Sequence, residues 1–196
     1  MKNILSIALL IVVSAFTVNA QNTVWNLDPS HSEIGFKVKH LVISTVRGKF
    51  TEYTISVKSD KPDFSDAKIE FVAKTKSINT DNTDRDKHLR SADFFESDKY
   101  SDMKFVGKSI KKISGNKYKV TGDFTIKNVT KTITLDMEFG GVVKDPWGNT
   151  KAGFSLSGEI NRFDYDLKWN TTIETGGLVV DKMVKIECDV ELAKAK

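Results

Sequence analysis

Val184-Lys185-Ile186-Glu187-Cys188-Asp189-Val190-Glu191-Leu192 alternates apolar and charged side chains without a break. A period of two sets the apolar residues on one face and the charges on the other, the mark of a strand with one side in a core and one in water. A helix of the same residues would scatter them around its axis. The pattern recurs along the chain. Ile34, Phe36, Val38 and His40 share a face against Glu33, Lys37 and Lys39, and Ile69, Phe71 and Ala73 oppose Lys68, Glu70 and Lys74. Tyr118, Val120, Phe124 and Ile126 form another such face, and Ile133, Leu135, Met137 and Phe139 the next. Ala152, Phe154, Leu156 and Ile160 alternate with Ser155, Ser157 and Glu159.

Two further stretches read as less regular strands. Phe50 and then Tyr53, Ile55 and Val57 change parity near Thr51-Glu52, which predicts a bulge or strong bend. Tyr100 to Ile110 carries Met103 and Phe105 on one face, thinned by Gly107. Short polar turns such as Lys144-Asp145-Pro146-Trp147-Gly148-Asn149 join about eight strands, and no helix–strand alternation of the kind that builds parallel sheets is present. Eight antiparallel strands either close into a barrel or stack as a sandwich. Inward glycines, Gly107, Gly122 and Gly158 with Gly35, favour bends and internal space, so the fold expected is an all-β, eight-stranded antiparallel barrel. Such a barrel is either filled by its side chains or holds one small ligand.

The first twenty residues read as a secretory signal. Lys2 supplies a positive n-region, Ile4 to Val13 an apolar run, and Val18-Asn19-Ala20 a small-residue cleavage site. The run is shorter than the roughly 20 residues of a bilayer span, so cleavage after Ala20 and export to the periplasm are expected. Residues 21–196 then form one domain. Removal of Lys2 leaves 29 basic and 26 acidic residues, interspersed along the chain. No basic stripe with exposed aromatics is visible, so nucleic acid is not an expected partner. A lone cysteine, Cys188, excludes an internal disulfide and shares an apolar face, where a thiol is inert.

Asp81 to Phe95, DNTDRDKHLRSADFF, breaks the alternation. Thr83 with Asp86 resembles a capping box, and a helix from Asp84 to about Ser91 would set Arg85, His88 and Leu89 on one face. Asp86 and Arg90 stand at ion-pair spacing, and Phe94-Phe95 reads as a plug over the core. A second irregular stretch is expected over Phe163 to Gly177. His31, His40 and His88 are scattered without paired ligand spacing, so no metal and no cofactor are expected. Arg85 and His88 have the chemistry either to recognise a polar head or, as the alternative, to hydrolyse a lipid phosphate. No nucleophile motif accompanies them, and catalysis is not expected.

Taken together, several motifs resemble the YceI-like family of exported, lipocalin-like, polyisoprenoid-binding bacterial proteins. They are Trp25 to Ser32 (WNLDPSHS), Phe36 to His40 (FKVKH), Val46 to Phe50 (VRGKF), Arg85 to Ser91 (RDKHLRS) with Asp93-Phe94-Phe95, Gly122 to Ile126 (GDFTI) and Asn161-Arg162. The resemblance covers nearly all of residues 21–196. It implies a barrel whose interior holds an isoprenoid amphiphile of the polyprenyl phosphate or isoprenoid quinone class, for binding, sequestration or transport. It also allows transient membrane contact and a homodimer. Phe36, Val38, Phe71, Phe105, Phe124, Leu135 and Phe154 are the candidate tail contacts, and His40, Arg85 and His88 the candidate head contacts at the rim. Asp166 stands where the family more often has Gly, and a changed turn is expected there.

Overall fold

In a computed structural model, residues 23–172 and 178–196 are described. The expected signal at 1–20 lies outside the described residues. The described residues form eleven strands: β1 (Val24–Leu27), β2 (Glu33–His40), β3 (Ser44–Phe50), β4 (Tyr53–Lys58), β5 (Lys68–Lys74), β6 (Ile78–Asn79), β7 (Asp102–Ser114), β8 (Lys117–Ile126), β9 (Val129–Lys144), β10 (Thr150–Asn161) and β11 (Val180–Lys194). Among the described residues one α-helix, α1, spans Thr83–Arg90. All pairings between the strands are antiparallel, in the order β1-β4-β5-β7-β8-β9-β10-β11, and β11 returns to β1 to close an eight-stranded barrel.

The remaining three strands are continuations of ring members. Both β1 and β2 lie along one edge of β11, with Leu27 opposite Leu192 and Ile34 opposite Cys188, so they are one long strand broken by a 3-10 turn at Pro29–His31. In the same way β3 runs into β4 across Thr51-Glu52, where the parity change predicted a bend, and β5 runs into β6 across a turn at Thr75–Ser77. The three breaks lie side by side. Tyr53 Oη donates to Ser32 O (2.8 Å), Thr51 N to Ser77 O (3.1 Å) and Lys74 N to Glu52 O (2.9 Å). Adjacent strands therefore bend together, which keeps their ladder bonds satisfied through the kink.

The inward glycines bend the wall but add less open space than expected. A Cβ on Gly122 would stand 2.4 Å from Phe105 Cζ, and one on Gly158 2.4 Å from Leu135 Cδ2. The missing side chains make room for neighbours that lean over them. A register shift after Gly107 marks a bulge in β7.

Each end of the barrel is stopped differently. At one end Phe64, in the connection after β4, is 1% exposed and packs on Trp25, Phe139 and Phe154 with ring centroids 4.8, 5.5 and 4.9 Å away. At the other, α1 and Phe94-Phe95 cover the mouth. Phe95 meets Phe50 edge-on at 5.9 Å and Phe94 packs on Trp169 at 5.4 Å, the plug that the sequence predicts.

Around α1 the polar contacts differ from expectation. Asn82, one residue earlier than expected, is the N-cap, its side chain accepting from Arg85 N (2.9 Å). Asp86 is not the capping-box partner of Thr83. It is buried and accepts from Thr80 N (2.9 Å) and Thr80 Oγ1 (2.5 Å). Its predicted partner Arg90 donates instead to the carbonyls of Lys76 and Ile78, both at 2.8 Å. Backbone carbonyls left over at the β5–β6 kink win that guanidinium from an acid already satisfied.

Candidate functional site: an apolar tube with one cation in its wall

The barrel encloses a cavity of about 210 Å³. Every strand except β1 contributes to its lining, and Leu89, Phe94 and Phe95 close it at the helical end. All seven sequence-predicted tail contacts, Phe36, Val38, Phe71, Phe105, Phe124, Leu135 and Phe154, line it. Cys188 does too, and burial pushes its thiol up to about 12. It is a small apolar wall residue and a poor nucleophile.

His40, Arg85 and His88 are not among the lining residues. His40 ends β2 at the same end of the barrel, half-buried. Arg85 Nε donates to Thr80 Oγ1 (2.8 Å) and its Nη2 to Thr80 O (2.7 Å). His88 stands edge-on to Phe94 (5.0 Å) and Trp169 (4.8 Å), with Nε2 2.9 Å from Asp93 Oδ2. Together they fasten the segment that carries the plug.

The charged side chain that does reach the cavity is Arg162, the single one among the described residues of a lining otherwise made of apolar residues, two of them glycine and cysteine in type. Inward parity along β10 runs through Phe154, Leu156, Gly158 and Ile160, and the next member of that series is Arg162. The residue opens a 3-10 turn, Arg162–Tyr165, whose N-cap Asn161 accepts from Phe163 N (3.1 Å). Asp166 ends the turn at φ 58°, a left-handed conformation that Asp tolerates better than most residues. Arg162 is 3% exposed. Nε donates to Asp181 O (2.9 Å), Nη1 to Leu167 O (2.5 Å) and Trp169 O (2.8 Å), and Nη2 to Val180 O (3.0 Å). Phe163 and Phe94 flank the guanidinium at 4.6 and 5.9 Å. Burial lowers its pKa and Asp181 opposes that, and a guanidinium stays charged in proteins regardless.

Among the described residues, one group has ligand-like spacing for a metal: Asp28, His31 and Glu191. Lys151 Nζ already sits between the two carboxylates, 2.5 Å from Asp28 and 3.0 Å from Glu191, and supplies the positive charge.

The profile of the YceI-like domain matches residues 25–192. The chain belongs to the YceI-like family. A UPF0312 protein of Staphylococcus aureus is 40% identical over 172 residues, covering 87% of this chain and 98% of its own length. The Campylobacter jejuni YCEI protein superposes with a TM-score of 0.70 at 39% identity, over 87% of this chain and 97% of that one. The YceI-like barrel also extends to distant sequences. Burkholderia cenocepacia BcnA reaches a TM-score of 0.74 at 20% identity, over 85% and 99% of the two chains. A polyisoprenoid-binding domain from Saccharophagus degradans reaches 0.64 at 15%, over 87% and 98%. These last two share the fold.

Strand parity offers a signal for Arg162 and none for Phe64. The parity of β10 points to the arginine once the strand is extended by two residues. Phe64 sits in a polar connection, Asp60 to Asp66, that carries no periodicity.

Proposed function

We propose that this YceI-like barrel is a non-enzymatic carrier or store for an isoprenoid amphiphile in the periplasm, reached through a cleaved leader at residues 1–20. The observation that carries this reading is the continuous apolar lining, drawn from ten strands and stopped by aromatic residues at both ends. A prenyl tail gains roughly 25 cal/mol per Å² of apolar area withdrawn from water, so the tube supplies affinity without specific polar contacts. The seven tail-contact residues act through that burial. Arg85 and His88 act through the plug they hold, with His40 at the same rim. Hydrolysis is the weaker reading, since both groups it would use are already bonded, Arg85 to Thr80 and His88 to Asp93.

Protein purified natively from its source and extracted with organic solvent should release a prenyl lipid in mass spectrometry. Repeated recovery of lipid-free protein would overturn the reading.

A further inference from the structure

We propose that Arg162 is the head-group contact of the cavity and that it selects long-chain lipids ending in an oxyanion, a carboxylate or a phosphate. The inference rests on the lipid-holding reading above and narrows it to a ligand class.

The argument begins with donor counting. A guanidinium carries five N–H groups, and the four bonds to Asp181, Leu167, Trp169 and Val180 carbonyls occupy four of them. Among the described residues, no acceptor takes the remaining N–H on Nη2. That N–H belongs to a side chain that is 3% exposed and forms part of the cavity wall. A buried donor without an acceptor is costly, and an oxygen at the end of a ligand would satisfy it.

Charge then decides which oxygen. Among the described residues no carboxylate lies within 4 Å of Arg162 in an ion pair. Four carbonyl dipoles solvate the cation, and Asp181 offsets its charge only through space, without an ion pair, so a guanidinium remains in the apolar wall without a bonded counter-charge. An oxyanion supplies the acceptor and the counter-charge together, and charge-assisted bonds are about twice as strong as neutral ones. A hydroxyl supplies the acceptor alone. An ammonium supplies neither and is repelled. With one N–H free, the contact is a single bond to one oxygen rather than the two-pronged grip that Arg gives an exposed phosphate.

Position agrees with this assignment. Arg162 lies beside Phe94 at the helical end, and the Phe64 cluster stops the far end. A chain whose head meets Arg162 therefore has the length of the tube for its tail.

The test uses the delipidated protein loaded with the neutral apolar dye N-phenyl-1-naphthylamine and displaced by geranylgeranoic acid, geranylgeranyl phosphate, geranylgeraniol or geranylgeranylamine. The two anions should displace the dye at about tenfold lower concentration than the amine, with the alcohol between. Their order with respect to each other tells a carboxylate site from a phosphate site. Arg162→Gln should bring all four within about twofold while the alcohol's affinity holds. Because Arg162 also ties four carbonyls, the methyl ester of the acid serves as a second probe on the unaltered protein. It should bind about tenfold more weakly than the acid. Equal binding of acid, ester, alcohol and amine would overturn the role of Arg162 and leave the lipid reading standing. Failure of all of them to displace the dye would overturn the lipid reading itself.

Discussion

Asp86 shows how a charge that reads as surface chemistry in the sequence becomes an internal brace. Its carboxylate holds both the backbone and the hydroxyl of Thr80, and Thr80 in turn receives Arg85. Asp86→Ala should cost about 1–3 kcal/mol in urea unfolding, because it strands a buried N–H. A second residue-scale test concerns Asp28, whose carboxyl is held well below the usual carboxylate range, first by Lys151 and then by Ser30. A depressed pKa contributes stability that is present above the unfolded value, about 3.9, and is lost as pH falls through the folded one. The stability gap between the wild type and Lys151→Met should therefore shrink as pH drops below about 4, read from urea midpoints across that range. Neither brace was legible beforehand. Residue type and spacing offered Asp86 a helical partner in Arg90, whereas the competing carbonyls become available only after β5 and β6 have folded beside the helix.

The strands, by contrast, were legible in the sequence wherever one face is buried. Alternation located β2, β5, β8, β9, β10 and β11, and the parity change at Thr51-Glu52 located the β3–β4 bend. The short strand β1 escaped because four residues carry too little periodicity, and its place is fixed by pairing to both β4 and β11. Turn chemistry shows a different mismatch. The β2–β3 hairpin turns through Leu41 (φ 50°) and Val42 (φ 66°), left-handed positions that suit glycine, and it leaves Val42 68% and Ile43 85% exposed. A β-branched residue is strained there. Val42→Gly should raise stability by about 1 kcal/mol, visible as a higher thermal midpoint.

At the scale of the whole molecule, the eight-stranded closure follows from three long strands bending at one level, so eleven segments serve as eight. The barrel and its apolar interior could be anticipated from inward-facing Phe, Ile, Leu and Val, and the candidate tail contacts fell where parity placed them. Phe64 could not be placed without the closed ring, and Arg162, which strand parity points inward, gains its neighbours only there, because only the ring brings residues 64, 94, 154 and 162 around one space. That enclosed space also has a mechanical consequence. A cavity of about 210 Å³ is volume that the folded chain carries and the unfolded chain gives up, and such voids make unfolding shrink the system by tens of mL/mol. Delipidated protein should therefore unfold at markedly lower hydrostatic pressure than protein loaded with a long-chain lipid, as followed by tryptophan fluorescence in a pressure cell. Equal unfolding pressures for the two would show that the wall collapses onto the space when the lipid leaves. The unfolding pressure would thus report occupancy without any knowledge of the lipid's identity.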